Sequence, residues 1–236
     1  MLSKGQFHAG LDKAEEVLRH AGLLLERNVY ERRRLGAAEL SGLDYPSTWE
    51  ALYASNDYDL RLKDGALMQF WRSEAGDGLY YSWYESPHDL LPFDEYARAY
   101  IAKLLEEEDT DLIDEFIGGC QWEIREAYEE DRRTAMLRNA VTPFRYEYKP
   151  SQYRAGVHPA SHLHVGIENE IRFGCRRILT PISFVLLVLR QAYKTVWTMM
   201  LASGVVVVHA SHVREKLQLV GKEFWCGDDE LEMCLE

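Results

Sequence analysis

Three short runs in the first half of the chain restrict its folding more than any other feature. They read YDLRL, ALMQFWR and LYYSWYE, and they are separated by KDG and EAGDG. Aromatic and aliphatic residues dominate each run, each is strand-sized, and the separators carry turn residues. Lys63-Asp64-Gly65 suits a tight hairpin, with Gly65 where a positive φ is needed. The expectation is a three-stranded antiparallel meander over about residues 58–85.

Helical spacing dominates elsewhere. Leu11, Val17, Leu18, Leu24 and Leu25 predict a helix over residues 3–28. In STWE, Ser47 has the position of a cap and Glu50 that of its partner, so a short helix should run to Ser55. A helical region follows Ser86, with Asp94 and Glu95 near its start, where the helix dipole favours acids. Two more helices are expected near 110–117 and 120–133, their acids facing solvent.

Then the period returns to two. FRYEY puts Arg145 and Glu147 on one face and Phe144, Tyr146 and Tyr148 on the other. SHLHVGI puts His162 and His164 on one face, and Leu163 and Val165 on the other. NEIRF reads as a third strand after a turn at Glu168-Asn169. Pro181 opens an apolar helix over 181–202, GVVVV reads as a closing strand, and 211–220 as a short helix.

The fold class is therefore α+β. It comprises a helical N-terminal part, a β-meander, a second small antiparallel sheet carrying the histidines, and a long buried apolar helix near the C-terminus. The 236 residues read as one domain, with a candidate subdivision into 1–131 and 132–236 at a charge switch. Residues 1–131 hold 13 Lys+Arg against 29 Asp+Glu, residues 132–198 hold 11 against 3, and residues 199–236 hold 3 against 7. The whole chain carries −12, which opposes indiscriminate nucleic-acid binding. The basic segment suits either an anion site or packing against the acidic half.

Cys120, Cys175, Cys226 and Cys234 include no C-x-x-C pair, and the N-terminus lacks a signal-like apolar run. Free thiols and a cytoplasmic location are expected. Arg190 and Lys194 interrupt the one segment that resembles a membrane span, so no membrane role is expected.

Within the basic segment, HPASHLH brings together His158, His162 and His164. One reading is a metal site, with Glu168 or water completing the set. The spacing from Gly156 through His162-x-His164 and Glu168 to Gly174 is similar to a cupin motif, but that fold's second histidine motif is missing. A second reading is metal-independent acid–base catalysis. His162 and His164 would exchange protons, His158 would help position phosphate, and Arg145 or Arg172 would stabilise phosphorane charge. A third is plain packing at a structural corner. His209 and His212 could approach the cluster. Phosphate-loop, dinucleotide, zincin and nucleophile-elbow motifs are all missing, so no cofactor is expected.

Arg145-Tyr146-Glu147-Tyr148, His158-Pro159, Ser161-His162, His164 and Pro181 carry a resemblance. Over about residues 143–197 the chain resembles a bacterial domain-of-unknown-function family with an R-Y-[DE]-Y and H-P-x-S-H-x-H core. It is more distantly similar to TumE-type toxins of toxin–antitoxin systems. That likeness implies a toxin-like endoribonuclease acting on RNA, or a component of bacterial defence. The acidic N-terminal half would then mask the basic site or dock a protein partner. A non-catalytic interaction subunit and a histidine-ligated metal protein are the alternatives.

Overall fold

The alternating runs do form strands, and all of them join one sheet. A computed structural model of the protein describes residues 2–29, 34–106, 109–167, 171–204 and 213–231. The strands are β1 (Leu24–Arg27), β2 (Leu60–Leu62), β3 (Leu67–Arg72), β4 (Leu79–Tyr84), β5 (Phe144–Tyr148), β6 (Ser161–Val165) and β7 (Ile171–Gly174). They lie in sequence order, each antiparallel to the next. The α+β class stands, but the histidine strands do not form a second sheet. β5 pairs with β4 through Tyr81↔Tyr146 and so extends the first meander. The unpaired edge of β4 would otherwise be a costly row of free backbone groups.

The expected hairpin is present. Gly65 has φ +83°, and Asp64 accepts a hydrogen bond from the Ala66 amide at 3.1 Å. A β-carbon on Gly65 would also approach the Ser86 hydroxyl to 3.0 Å, so two constraints favour glycine there.

One face of the sheet is apolar. Leu60, Met68, Phe70, Tyr81, Tyr146 and Leu163 point into a core covered by α1 (Lys4–His20) and α7 (Pro181–Ala192). The two helices touch closely because residue 10 is glycine. A β-carbon there would stand 2.9 Å from Pro181 Cδ.

Inside this core lies a short polar chain. The Tyr146 hydroxyl is 2.9 Å from Ser161 Oγ and accepts from the Leu179 amide at 3.0 Å. Ser161 Oγ donates to the Arg177 carbonyl at 3.1 Å. Burial raises the Tyr146 pKa well above its ordinary value, so the hydroxyl keeps its proton.

The opposite face is covered at one end by α3 (Tyr45–Ala54), whose Trp49 and Leu52 pack with Leu67. Beside them runs a buried ion network. Arg61 of β2 donates to Glu129 at 2.6 Å, and Glu129 also accepts from Arg132 at 2.9 Å. Arg132 reaches Glu50, which also contacts His88 at 2.8 Å. The Arg132 guanidinium lies 4.4 Å from the centre of the Tyr53 ring. This network ties α6 (Gln121–Thr134) to the sheet and to α3. Glu129 therefore departs from the solvent-facing role expected of the acids on this helix. α4 (Phe93–Leu105) and α5 (Thr110–Gly119) complete that layer, sharing a smaller core of Tyr96, Ile101, Ile113, Ile124 and Tyr128 with α6.

Several expected boundaries move. The first helix ends at His20, not near 28. Gly22, at φ +69°, closes it, with Leu23 N bonded to Leu18 O and Gly22 N to Arg19 O. Leu24 and Leu25 then belong to β1. The cap of α3 is Asp44, which accepts from the Ser47 amide at 2.9 Å, so Ser47 lies inside the helix. The apolar helix expected over 181–202 is two: α7 and α8 (Lys194–Ala202). Between them Tyr193 leaves helical geometry, and its hydroxyl donates to Asp64 at 2.7 Å. GVVVV, at 205–208 in its valines, lies outside the described residues; 213–216 are helical.

Replacing Tyr146 with Phe should leave Ser161 and the Leu179 amide short of a partner. We expect a loss of about 1–3 kcal/mol in urea unfolding, with an unchanged far-UV spectrum. Wild-type stability in this variant would mean that the polar chain does not hold the strands.

Candidate metal centre

Register builds the site. On the sheet face opposite α1 and α7, Gln69, Ser82, Arg145, His164 and Arg172 face one another in one cross-strand row. Trp71, Tyr80, Glu147, His162 and Gly174 form the next row. Glu147 is thus directly opposite His162, and Arg145 directly opposite His164.

One donor atom from each of Glu147, His162 and His164 lies within 4.8 Å of the others. His162 is fully buried and His164 nearly so. Their rings meet edge to face at 4.7 Å.

The tautomer of His162 follows from its neighbours. Its Nδ1 is 2.8 Å from the Pro159 carbonyl, which can only accept. Nδ1 therefore carries the proton, and neutral Nε2 presents a lone pair. That Nε2 is buried, has no hydrogen bond, and sits 3.8 Å from Glu147 Oε2. Burial pushes the His162 pKa down to about 3, helped by His164, His158 and Arg172 nearby. A neutral imidazole whose far nitrogen is fixed by a carbonyl is the form that ligates metals.

The four residues expected from the sequence do come together. His158 packs edge to face on His162 at 4.9 Å, and its Nδ1 is buried without a partner. Burial, and then Arg172, lower its pKa. Arg145 Nε is 3.0 Å from Glu147 Oε1.

The carboxylate that the described residues bring to the histidines is Glu147. Glu168, the sequence-based choice for a fourth ligand, lies outside the described residues, as do His209 and His212. Among the described residues, Glu147 is the carboxylate of the cluster. Its alternation with Arg145 was the available signal, since both had to share a face. What alternation lacks is the pairing partner.

The set is two histidines and one carboxylate, held on two adjacent strands. Such a set leaves coordination positions free for water or substrate in both zinc and non-haem iron sites. The chain belongs to the family of uncharacterized conserved proteins DUF2290, whose model matches residues 24–225. That span is wider than the 143–197 suggested by the sequence motif. No curated protein and no solved structure matches the chain. No helix among the described residues is long and apolar enough to cross a membrane.

The depressed His162 pKa fixes a pH response. Between about 6.5, its ordinary value, and about 3, the unfolded chain binds a proton there that the folded chain refuses. His162 protonation therefore adds no pH dependence to stability above that window and destabilises the fold increasingly as pH falls through it. In unfolding titrations from about pH 7 to about pH 4, His162→Asn should lose less stability than wild type. Equal losses would contradict a buried neutral imidazole.

Proposed function

We propose that this chain is a metal-binding protein in which Glu147, His162 and His164 hold one divalent transition-metal ion. The observation that carries the reading is the buried Nε2 of His162. It has no hydrogen bond, lies 3.8 Å from Glu147 Oε2, and belongs to a residue whose donor atom groups with those of Glu147 and His164 within 4.8 Å. A buried polar atom without a partner is costly, and a metal ion would satisfy it. The imidazoles and carboxylate suit zinc or iron better than magnesium or calcium, which prefer all-oxygen sites.

This reading differs from acid–base cleavage by a histidine pair. Burial disfavours the protonated form of His162, which makes it a poor proton donor near neutrality. What survives of the ribonuclease expectation is its electrostatic part, the arginines beside the cluster. When bound, the ion would polarise a phosphoryl oxygen and acidify a bound water. Arg145 has a separate duty on the protein side. Its guanidinium forms an ion pair with Glu147 at 3.0 Å, which holds a positive charge beside the carboxylate.

Protein purified without a histidine tag and equilibrated with zinc should retain one ion per chain. Glu147→Gln, His162→Gln and His164→Gln should each weaken retention by about 10- to 100-fold or more. The ion should also raise the melting temperature of wild type only. Sub-stoichiometric zinc, iron and cobalt under all conditions would remove the proposal.

A further inference from the structure

A groove adjoins the proposed centre. Two cavities, of about 200 and 240 Å³, share Leu40, Ser82, Tyr84 and Arg145. Both lie between the polar sheet face and the segment containing α2 (Ala37–Leu40) and α3. The smaller reaches Glu147 at one side and Trp71 and Tyr80 at the other. A ligand here would touch a metal-binding carboxylate, a guanidinium and two aromatic rings at once.

Two cations bracket the centre. Arg145 and Arg172 are the register neighbours of His164 on either side. Apart from its contact with Glu147, Arg145 has no ion pair or hydrogen bond among the described residues, and its Nε is buried without a well-aligned acceptor. Arg172 has no ion pair among the described residues. Guanidinium groups match phosphate oxygens two at a time.

The aromatic end is built by the next row. Trp71 and Tyr80 are cross-strand neighbours, with ring centres 4.8 Å apart. Arg34 lies 5.0 Å from the centre of the Trp71 ring, adding a planar cation to that wall. Trp71 and Glu147 are two strands apart in one row, so the span is about 10 Å. A nucleoside monophosphate covers such a span from base to phosphate.

We propose that this groove binds a nucleoside phosphate, with its phosphate at Arg145 beside Glu147 of the metal centre, on the side facing Arg172, and its base against Trp71 and Tyr80. The inference rests on the metal reading for the position of the phosphate, but not for the arginines or the rings. The molecule's charge of −12 selects a small phosphate ester over a long polynucleotide. Only a short cationic stretch is on offer, and a polynucleotide extending beyond it would meet acidic surface.

The experiment is calorimetric titration of adenosine and guanosine monophosphates into metal-free and zinc-loaded protein. Inorganic phosphate serves as competitor, and a short single-stranded oligonucleotide with a terminal phosphate as a second source of the same chemistry. Binding is expected for a mononucleotide or for the phosphorylated strand end, tighter with zinc and displaced by phosphate. Arg172→Gln, an exposed position that should fold normally, should weaken it about tenfold, and Arg145→Gln by about as much. Trp71→Leu should weaken nucleotide binding but not phosphate binding. Zinc binding without nucleotide binding in either form would overturn this inference and leave the metal centre standing. Arginine-dependent nucleotide binding without zinc retention would do the reverse. Oligonucleotide binding indifferent to the terminal phosphate and to Trp71 would overturn the nucleoside phosphate site.

Discussion

The register between β5 and β6 is the constraint on which the rest depends. Side chains alternate along a strand, so a slip of one residue would send His162 and His164 into the core and Leu163 to the polar face. The Tyr146–Ser161 contact opposes that slip from the apolar side. Its link to the Leu179 amide carries the same constraint to the start of α7. The core and the candidate site are therefore two readings of one alignment. What packs Tyr146 beneath the sheet also sets Glu147 against His162 above it.

The two faces solve different problems. The apolar face gains from hydrophobic burial under α1 and α7. The other face is partly polar, and at the β1–β2 end its charges are neutralised inside the protein by Arg61, Glu129, Arg132 and Glu50. Arg132 pairs with Glu50 and Arg138 with Glu85, so part of the basic segment does pack against the acidic half. Toward β5–β7 the arginines are left less matched. The charge asymmetry visible along the chain thus has both an intramolecular use and a remainder, and the remainder flanks the histidines.

Much of this was legible in the sequence. Alternation in FRYEY and SHLHV gave the shared faces, and Gly65 marked its hairpin. The grouping of Arg145, His158, His162 and His164 also followed from pattern and proximity. Three things did not. β1 was hidden because Leu24 and Leu25 continue the helical spacing of α1, and only Gly22 signals the change. The break at Tyr193 comes where its hydroxyl reaches Asp64, 129 residues away in sequence. Glu147 was placed on the correct face but not assigned to the cluster, because strand pairing is a long-range property that local alternation does not encode. Sequence proximity offered Glu168 or a water, and strand pairing adds a residue from the preceding strand.

The sequential order of the strands has a consequence for how the protein is made. β4 leaves the ribosome with β3 already available as a partner, but its other edge waits for β5. The 59 residues 85–143 must be synthesised first, roughly 3–12 s of translation. During that interval LYYSWY presents an aromatic edge of the kind that recruits other chains. The intervening segment is rich in Asp and Glu, so the nascent chain carries its own electrostatic repulsion while that edge is unpaired. The arrival of FRYEY ends the exposure and, in the same step, delivers Glu147, the carboxylate of the proposed centre.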